Sequence, residues 1–366
     1  MVRPRFPARL SSEARFRRRS EKDRRNDGGQ VVSVLQESDS MTTDAPSNPH
    51  ADPYEIAIIG GGPAGLSAAI WAGRYRRRVV LIDGGDPRSW ETRGVNGFLG
   101  APGVRPAQLR GAGRDEARQY DVSLIDSRVL RAEQCDVPTA SGESEHETRF
   151  SLHLADGATL FARRVLLAIG LHDVWPDIPG LEQAYGFDVH VCPDCDGYEA
   201  RGKRIVVIGS GRRALSMALA LTTWSDDITI ATNGRPAELE QEGYEAKLEA
   251  NAIAVRTEAV RRVCCEGRRV TGLELDTGET LPTDKVFFSI AQRPADDIGV
   301  QLGCDCDEDG QIVVNDHFNT SVRGVYAAGD ITPGPQIAIR AAAAGAVVAM
   351  EMHRSLLPKK QSLRDM

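Results

Sequence analysis

The sequence has no long apolar run. No stretch reaches the roughly 20 uninterrupted apolar residues of a membrane span. The Ala-rich run from Ile337 to Met350 is broken by Arg340, so no membrane association is expected. Aromatic residues are scarce at 5 %, whereas 36 residues are glycine; small side chains on this scale suit glycine loops and tightly packed nucleotide-binding sheets. An excess of positive charge is also lacking. The net charge is −7, and because residues 1–40 carry ten Lys or Arg against six Asp or Glu, the remainder is more acidic still. That balance argues against general nucleic-acid affinity.

A second cysteine pair with metal-ligand spacing is missing as well. Seven cysteines occur, at 135, 192, 195, 264, 265, 304 and 306, and with no export signal they point to a reducing, cytoplasmic setting. Structural zinc would need a partner for Cys192 and Cys195 of comparable spacing. Cys264-Cys265 and Cys304-Asp305-Cys306 do not supply it. No metal is expected, and those four with Cys135 read as packing or surface residues.

Residues 1–40 show neither a hydrophobic period nor an apolar stretch fit for a signal peptide, and Glu13, Glu21, Asp23 and Asp27 count against a transit peptide. Residues 1–50 are expected to be a disordered extension. Met41, followed by Thr42-Thr43-Asp44, would make a natural alternative start. The 366 residues are enough for two domains with separate cores.

Tyr54 to Ile59 reads as a buried strand that ends in Gly60-Gly61-Gly62-Pro63-Ala64-Gly65, followed by a helix over Leu66 to Tyr75. Gly60, Gly62 and Gly65 match the dinucleotide fingerprint: a tight turn, close approach to a pyrophosphate, and close helix–strand packing. Phosphate would sit on the helix N-terminus. A second strand, Val79 to Ile82, ends at Asp83, about where an acid can bind a ribose hydroxyl. Further on, the pattern predicts a helix over Pro106 to Tyr120 and strands near 122–131, 148–154 and 158–162. Pro138 to Thr148 is read as an exposed hairpin loop, and Arg164 to Gly170 as a strand returning to the first sheet.

The centre of the chain is Cys192-Pro193-Asp194-Cys195-Asp196-Gly197. Two cysteines separated by two residues can close a small disulfide, and a neighbouring acid can move the proton that thiol–disulfide exchange gives or takes. Asp196 beside Gly197 also suits a turn cap. The motif precedes a second fingerprint, Gly209-Ser210-Gly211-Arg212-Arg213-Ala214, after the strand Lys203 to Ile208 and before a helix to about Leu221. A dithiol between two dinucleotide units reads as an electron-transfer enzyme.

Taken with Gly324-Val325-Tyr326-Ala327-Ala328-Gly329-Asp330-Ile331, these motifs in this order resemble the low-molecular-weight thioredoxin reductase family. The resemblance implies an α/β fold of two Rossmann-like domains, the second inserted into the first. An FAD domain would comprise 51–172 and 284–366, and an NAD(P)H-type domain bearing the dithiol 173–283. It implies FAD held by Gly60, Gly62, Pro63, Ala64, Gly65, Asp83, Gly329, Asp330, Gln336 and Ile337, and a homodimer. Cys195 would lie nearest the flavin and Cys192 would exchange with a thioredoxin-like protein or a small dithiol or disulfide. Asp196 would donate and accept the proton. Domain rotation is expected about hinges near 171–175 and 282–286.

The second nucleotide site departs from that family's pattern. Ser216 stands where NADPH-using members have Glu, and Thr232-Asn233-Gly234 stands in place of a His-Arg-Arg cluster. Gly209, Gly211, Arg212 and Arg213 are the remaining candidates for binding NADPH; Arg212, Arg213 and Arg235 would rebuild a phosphate site, or the two arginines of the glycine loop would obstruct it. Alternatives to a thioredoxin-disulfide reductase therefore stay open: a flavin dithiol oxidase using oxygen, a ferredoxin-linked reductase, or an FAD-binding redox sensor. For the rest of the chain, the sequence predicts a charged helix over Ala237 to Ala250 and short strands near 253–257, 260–264 and 270–275. Lys285 to Ala291 is read as a strand returning to the FAD domain, Gln311 to Val314 and Val325 to Gly329 as further strands, and Ile337 onward as a final helix.

Overall fold

A computed structural model describes residues 53–85, 87–88, 92–138, 146–238, 243–289 and 291–361. The expected disorder of residues 1–50 and the tip of the 138–148 hairpin lie outside the described residues.

The described residues open with β1 (Tyr54–Ile59), α1 (Pro63–Arg74), β2 (Val79–Ile82), α2 (Pro106–Arg118) and β3 (Ser123–Ile125). An antiparallel meander follows, β4 (Val129–Pro138), β5 (His146–Leu154) and β6 (Thr159–Leu167). Helix α1 starts three residues earlier than the sequence pattern suggests, because Pro63 occupies its first turn, where a missing N–H costs nothing. The segment 122–131 divides into β3 and β4 rather than forming one strand.

Conversely, the two strands expected at 158–162 and 164–170 are one, β6. Arg163-Arg164 breaks the apolar run, and here β6 exchanges β5, paired antiparallel at Thr159 to Ala162, for a parallel partner at Val165 to Leu167.

That parallel partner comes from far along the chain. After β7 (Leu171–Val174) the chain runs through α3 (Leu181–Ala184), β8 (Val189–His190), the helical turn α4 (Pro193–Asp196), β9 (Ile205–Ile208), α5 (Gly211–Leu221) and β10 (Ile228–Ala231). It continues through α6 (Tyr244–Ala250), β11 (Ala254–Arg256), β12 (Val260–Glu266), β13 (Arg269–Leu275), β14 (Thr280–Pro282) and β15 (Lys285–Phe288). Then come β16 (Ala291–Pro294), α7 (Ile298–Gln301), β17 (Val325–Ala327), which pairs with β6, and α8 (Ala338–Ser355).

The first sheet has seven strands in the order β3-β2-β1-β6-β5-β4, with β17 beside β6. The second has five parallel strands, β11-β10-β9-β15-β8. Parallel strands covered on both faces read as continuous apolar runs, and β1 shows why. Ile56 and Ile58 face the cluster built with α1 and α8, while Ala57 and Ile59 face the opposite cluster around Phe150 and Leu152. The close approach of α1 and α8 requires glycine at 345, where a Cβ would run into the Ala64 carbonyl.

Several expectations are corrected. Lys285 to Phe288 does not return to the first sheet; it is central to the second, between β9 and β8. The return is made by β16, which pairs antiparallel with β7 as a two-stranded ribbon between the sheets. The second hinge placed at 282–286 therefore falls partly on a core strand. Gln311 to Val314 is not a strand, since only Ile312 bridges to Cys306. The charged helix is confined to Tyr244–Ala250; Ala237 and Glu238 are non-helical. No helix among the described residues is long and apolar enough to cross a membrane.

Candidate active site

The first glycine loop follows from β1 directly. Gly60 takes φ +108° against the Ala168 carbonyl, which only glycine tolerates, and Gly65 sits where a Cβ would strike the Gly60 carbonyl. Gly62 is different: its φ is −77°, and a Cβ there would meet nothing within 4 Å. Its missing side chain leaves space for something other than protein.

That space belongs to a cavity of about 690 Å³, in the size range of ligand sites. Gly60, Gly62, Pro63, Ala64 and Asp83 line it, together with Gly329, Asp330, Gln336 and Ile337. Cys192, Cys195 and Asp196 line the same cavity. Gly65 supports the loop from behind. Residues more than 260 positions apart thus meet because β17 inserts beside β6 and delivers Gly329-Asp330 next to the first loop.

Cys192 and Cys195 form a disulfide. Cys192 caps the turn α4, and the Cys195 backbone N–H donates to its Sγ at 3.2 Å. Asn96, from the loop after β2, donates from Nδ2 to the Cys195 carbonyl at 2.9 Å. Asp196 places its Oδ2 3.4 Å from Nδ1 of the buried His190.

Asp83 carries the Arg110 guanidinium on its carboxylate, with Arg114 at 3.8 Å. The expected ribose acid is therefore already partly neutralised by α2. Asp330 has its pKa raised by burial, against the opposing pull of Arg88. Arg88 Nη1 lies 3.2 Å from Asp330 Oδ2 and donates to Gln336 Oε1 at 2.6 Å, while its other nitrogens hold Asp173 of β7. Gln336 and Gln292 of β16 exchange hydrogen bonds at 2.7 and 3.0 Å. The β7–β16 ribbon is thereby tied to residues that line the cavity. Arg88, Asn96, His190 and Gln292 carry no motif in the sequence; the partners of Arg88, Asn96 and Gln292 are remote in the chain, and His190 meets Asp196 only because the dithiol turn folds back on it.

Gly209, Gly211, Arg212 and Arg213 are not in this cavity. Arg212 and Arg213 line a separate cleft of about 620 Å³, walled on one side by Pro193 and Asp194 of the dithiol turn. Arg213 reaches Asp309 at 3.1 Å on the surface. At the second loop the Gly211 N–H donates to the Ala237 carbonyl at 3.0 Å, and a Cβ on Gly211 would lie 3.0 Å from Glu238 Oε2. Thr232 and Asn233, at the end of β10, are spent on Arg235 and Val260 backbone groups. Of the other cysteines, Cys304 is buried, Cys306 exposed, and Cys135, Cys264 and Cys265 half-buried.

Residues 54–345 match the family model described as pyridine nucleotide-disulphide oxidoreductase. An alkyl hydroperoxide reductase component of Xanthomonas campestris pv. phaseoli is 29 % identical over 314 residues, covering 84 % of this chain and 57 % of that protein. A probable thioredoxin reductase of Arthroderma benhamiae is 34 % identical over 191 residues, 51 % of this chain and 45 % of that one. The chain spans about half the length of the curated relatives it matches. Among solved structures, HlmI superposes with a TM-score of 0.77 at 33 % identity, covering 84 % of this chain and 93 % of HlmI. The putative thioredoxin reductase TrxB of Bacillus anthracis gives 0.73 at 29 % identity, with 83 % and 98 % covered. A glycine loop, a Gly-Asp turn and a disulfide around one cavity agree with this likeness, and the chain belongs to the pyridine nucleotide-disulphide oxidoreductase family.

Proposed function

We propose that the protein is an FAD-dependent thiol–disulfide oxidoreductase in which Cys192–Cys195 exchanges electrons with a flavin in the large cavity and with an external disulfide. The observation that carries this reading is the disulfide lining the same cavity as the first glycine loop and Asp330. The residues fit FAD: Gly62 leaves open space at the N-terminus of α1, where pyrophosphate is favoured, and Gly329-Asp330 and Gln336-Ile337 offer polar and backbone groups farther along. The flavin supplies two-electron chemistry. The chain's own residues position the dithiol through Asn96 and hold a proton at Asp196.

The external partner is a thioredoxin-like protein or a small disulfide, and the protein works as a homodimer. The inserted domain runs from residue 173 through β15, and the β7–β16 ribbon is the hinge about which it turns to expose the dithiol. Oxidised and reduced structures with the same domain orientation would remove the hinge from this account.

NADPH is the donor that the resemblance implies. A second reading has electrons enter from a dithiol or another protein instead, with oxygen or a disulfide as acceptor. It is favoured by the second glycine loop, whose Gly211 N–H is already taken by Ala237, with Glu238 alongside; an anionic pyrophosphate would meet a carboxylate there. Anaerobic titration of the FAD-loaded protein with NADPH, NADH and dithiothreitol, following the visible flavin band, separates the two. Bleaching by NADPH supports the reductase; bleaching by the dithiol alone supports the second reading.

A further inference from the structure

The His190 ring lines the cavity that holds Cys192 and Cys195, yet its Nε2 is buried and finds no hydrogen-bond partner among the described residues. The side chain is only 4 % exposed. A buried polar nitrogen left unsatisfied is costly and calls for an explanation. Its other nitrogen, Nδ1, faces Asp196 at 3.4 Å, and the ring packs on Phe287 of β15 with centroids 5.3 Å apart. An imidazole with a carboxylate beside one nitrogen, in a ring that lines the same cavity as the disulfide, has the components of the base–orienter arrangement of nucleophilic enzymes.

We propose that His190 and Asp196 act as one proton-handling pair for the dithiol, with His190 taking the thiol proton from within the cavity and Asp196 holding the ring. The inference rests on the reading of Cys192–Cys195 as the exchanging pair. In the reducing direction the Cys192 thiol gives its proton to the pair as its sulfur attacks one sulfur of the substrate disulfide. The substrate S–S bond breaks and the departing thiolate takes that proton. Cys195 then loses its proton by the same route and attacks the Cys192 sulfur. The protein disulfide closes, and the second product thiol leaves protonated. The protein dithiol is oxidised and the substrate disulfide reduced, with protons conserved.

The other ionisable groups near the pair are few. The Tyr185 hydroxyl is pushed up to about 12, chiefly by burial, with Asp173 and Asp196 adding to the rise. It is therefore no competing base near neutral pH. Asp188, two residues before His190, is neutralised by Lys285 Nζ at 2.6 Å. Asp194 is exposed on the dithiol turn.

The test is site-resolved alkylation of the reduced, FAD-loaded protein by iodoacetamide from about pH 5 to about pH 9, which spans the range in which histidine titrates. Peptide mass spectrometry would read Cys192 and Cys195 separately. His190→Phe, His190→Asn and Asp196→Asn should each slow alkylation about tenfold at neutral pH, a modest share of what general bases supply. The double variant should be no slower than either single one. The pH profile should lose its histidine step in the His190 variants. Asn at 190 can still donate to Asp196 but cannot carry a proton, so wild-type behaviour of His190→Asn would overturn the proposal. So would effects of His190 and Asp196 that multiply. Thermal unfolding of each variant shows whether it folds, and His190→Gln replaces any that does not. Cys192→Ser with undiminished disulfide turnover would instead remove the dithiol reading itself.

Discussion

Asn96 and Cys195 are joined by a 2.9 Å hydrogen bond from an amide to a main-chain carbonyl across 99 positions of sequence. The bond fastens the dithiol turn to the loop that follows β2 and keeps the disulfide against the cavity. Such a bond contributes about 1 kcal/mol. Asn96→Ala should therefore slow electron exchange between flavin and dithiol about fivefold, with little change in unfolding midpoint. Stopped-flow absorbance of flavin reoxidation measures it. An unchanged rate would mean that the turn holds its place without Asn96.

Gly62 and Gly65 separate binding from folding. A valine at 62 projects into open cavity from an ordinary backbone conformation, whereas one at 65 collides with the Gly60 carbonyl. Gly62→Val should keep its melting temperature without cofactor and lose FAD affinity at least about tenfold. Gly65→Val should lose about 1–3 kcal/mol of stability or more. Fluorescence titration with FAD and thermal unfolding, run side by side, check both.

Much of this site was legible in the sequence because its signals are local. Gly60 to Gly65, the strand before them and Asp83 follow each other within one β-α-β unit, and Cys192 and Cys195 share one turn. Arg88 gave no such signal, since its partners Asp173 and Asp330 lie 85 and 242 positions away, and His190 matches no motif although Asp196 is close to it in the chain. Lys285 to Phe288 was assigned to the wrong sheet for a related reason. A buried parallel strand declares that it is covered on both faces but not which neighbours cover it. The closure of the second loop by Ala237 was invisible because it depends on a backbone carbonyl, which any residue possesses.

Arg88 stands between two carboxylates, the buried side chain of Asp173 and the partly exposed one of Asp330. Removing it should destabilise the protein by about 3–5 kcal/mol at neutral pH, since charges left unpaired in the interior are costly. The pH dependence has a definite sign. Burial raises the Asp330 pKa above 3.8, so ionising it costs stability once the pH rises through the unfolded value, and that cost is largest without the arginine. The deficit of Arg88→Ala should therefore shrink as the pH falls toward 4, where urea unfolding at several pH values would reveal it. A deficit independent of pH would assign Arg88 a packing role only.

Lys285 and Asp188 form a buried pair at 2.6 Å that links β15 to the residue preceding β8, while the other Asp188 oxygen accepts the Val270 N–H at 3.0 Å. Lys285→Met leaves that carboxylate without its cation and should cost about 3–5 kcal/mol. The loss falls on the second sheet, so FAD affinity should change little. Denaturant unfolding with a parallel FAD titration tests both statements.

Anaerobic reductive titration of the FAD-loaded wild type beside Cys192→Ser and Cys195→Ser probes the redox link between dithiol and flavin most directly. If the disulfide communicates with the flavin, the wild type takes up more electrons than its flavin alone can hold, by the equivalent of one disulfide, before the visible band is fully bleached. Both variants then bleach with flavin stoichiometry. Identical electron uptake by all three would contradict the account, leaving Cys192–Cys195 a structural bond beside the cavity.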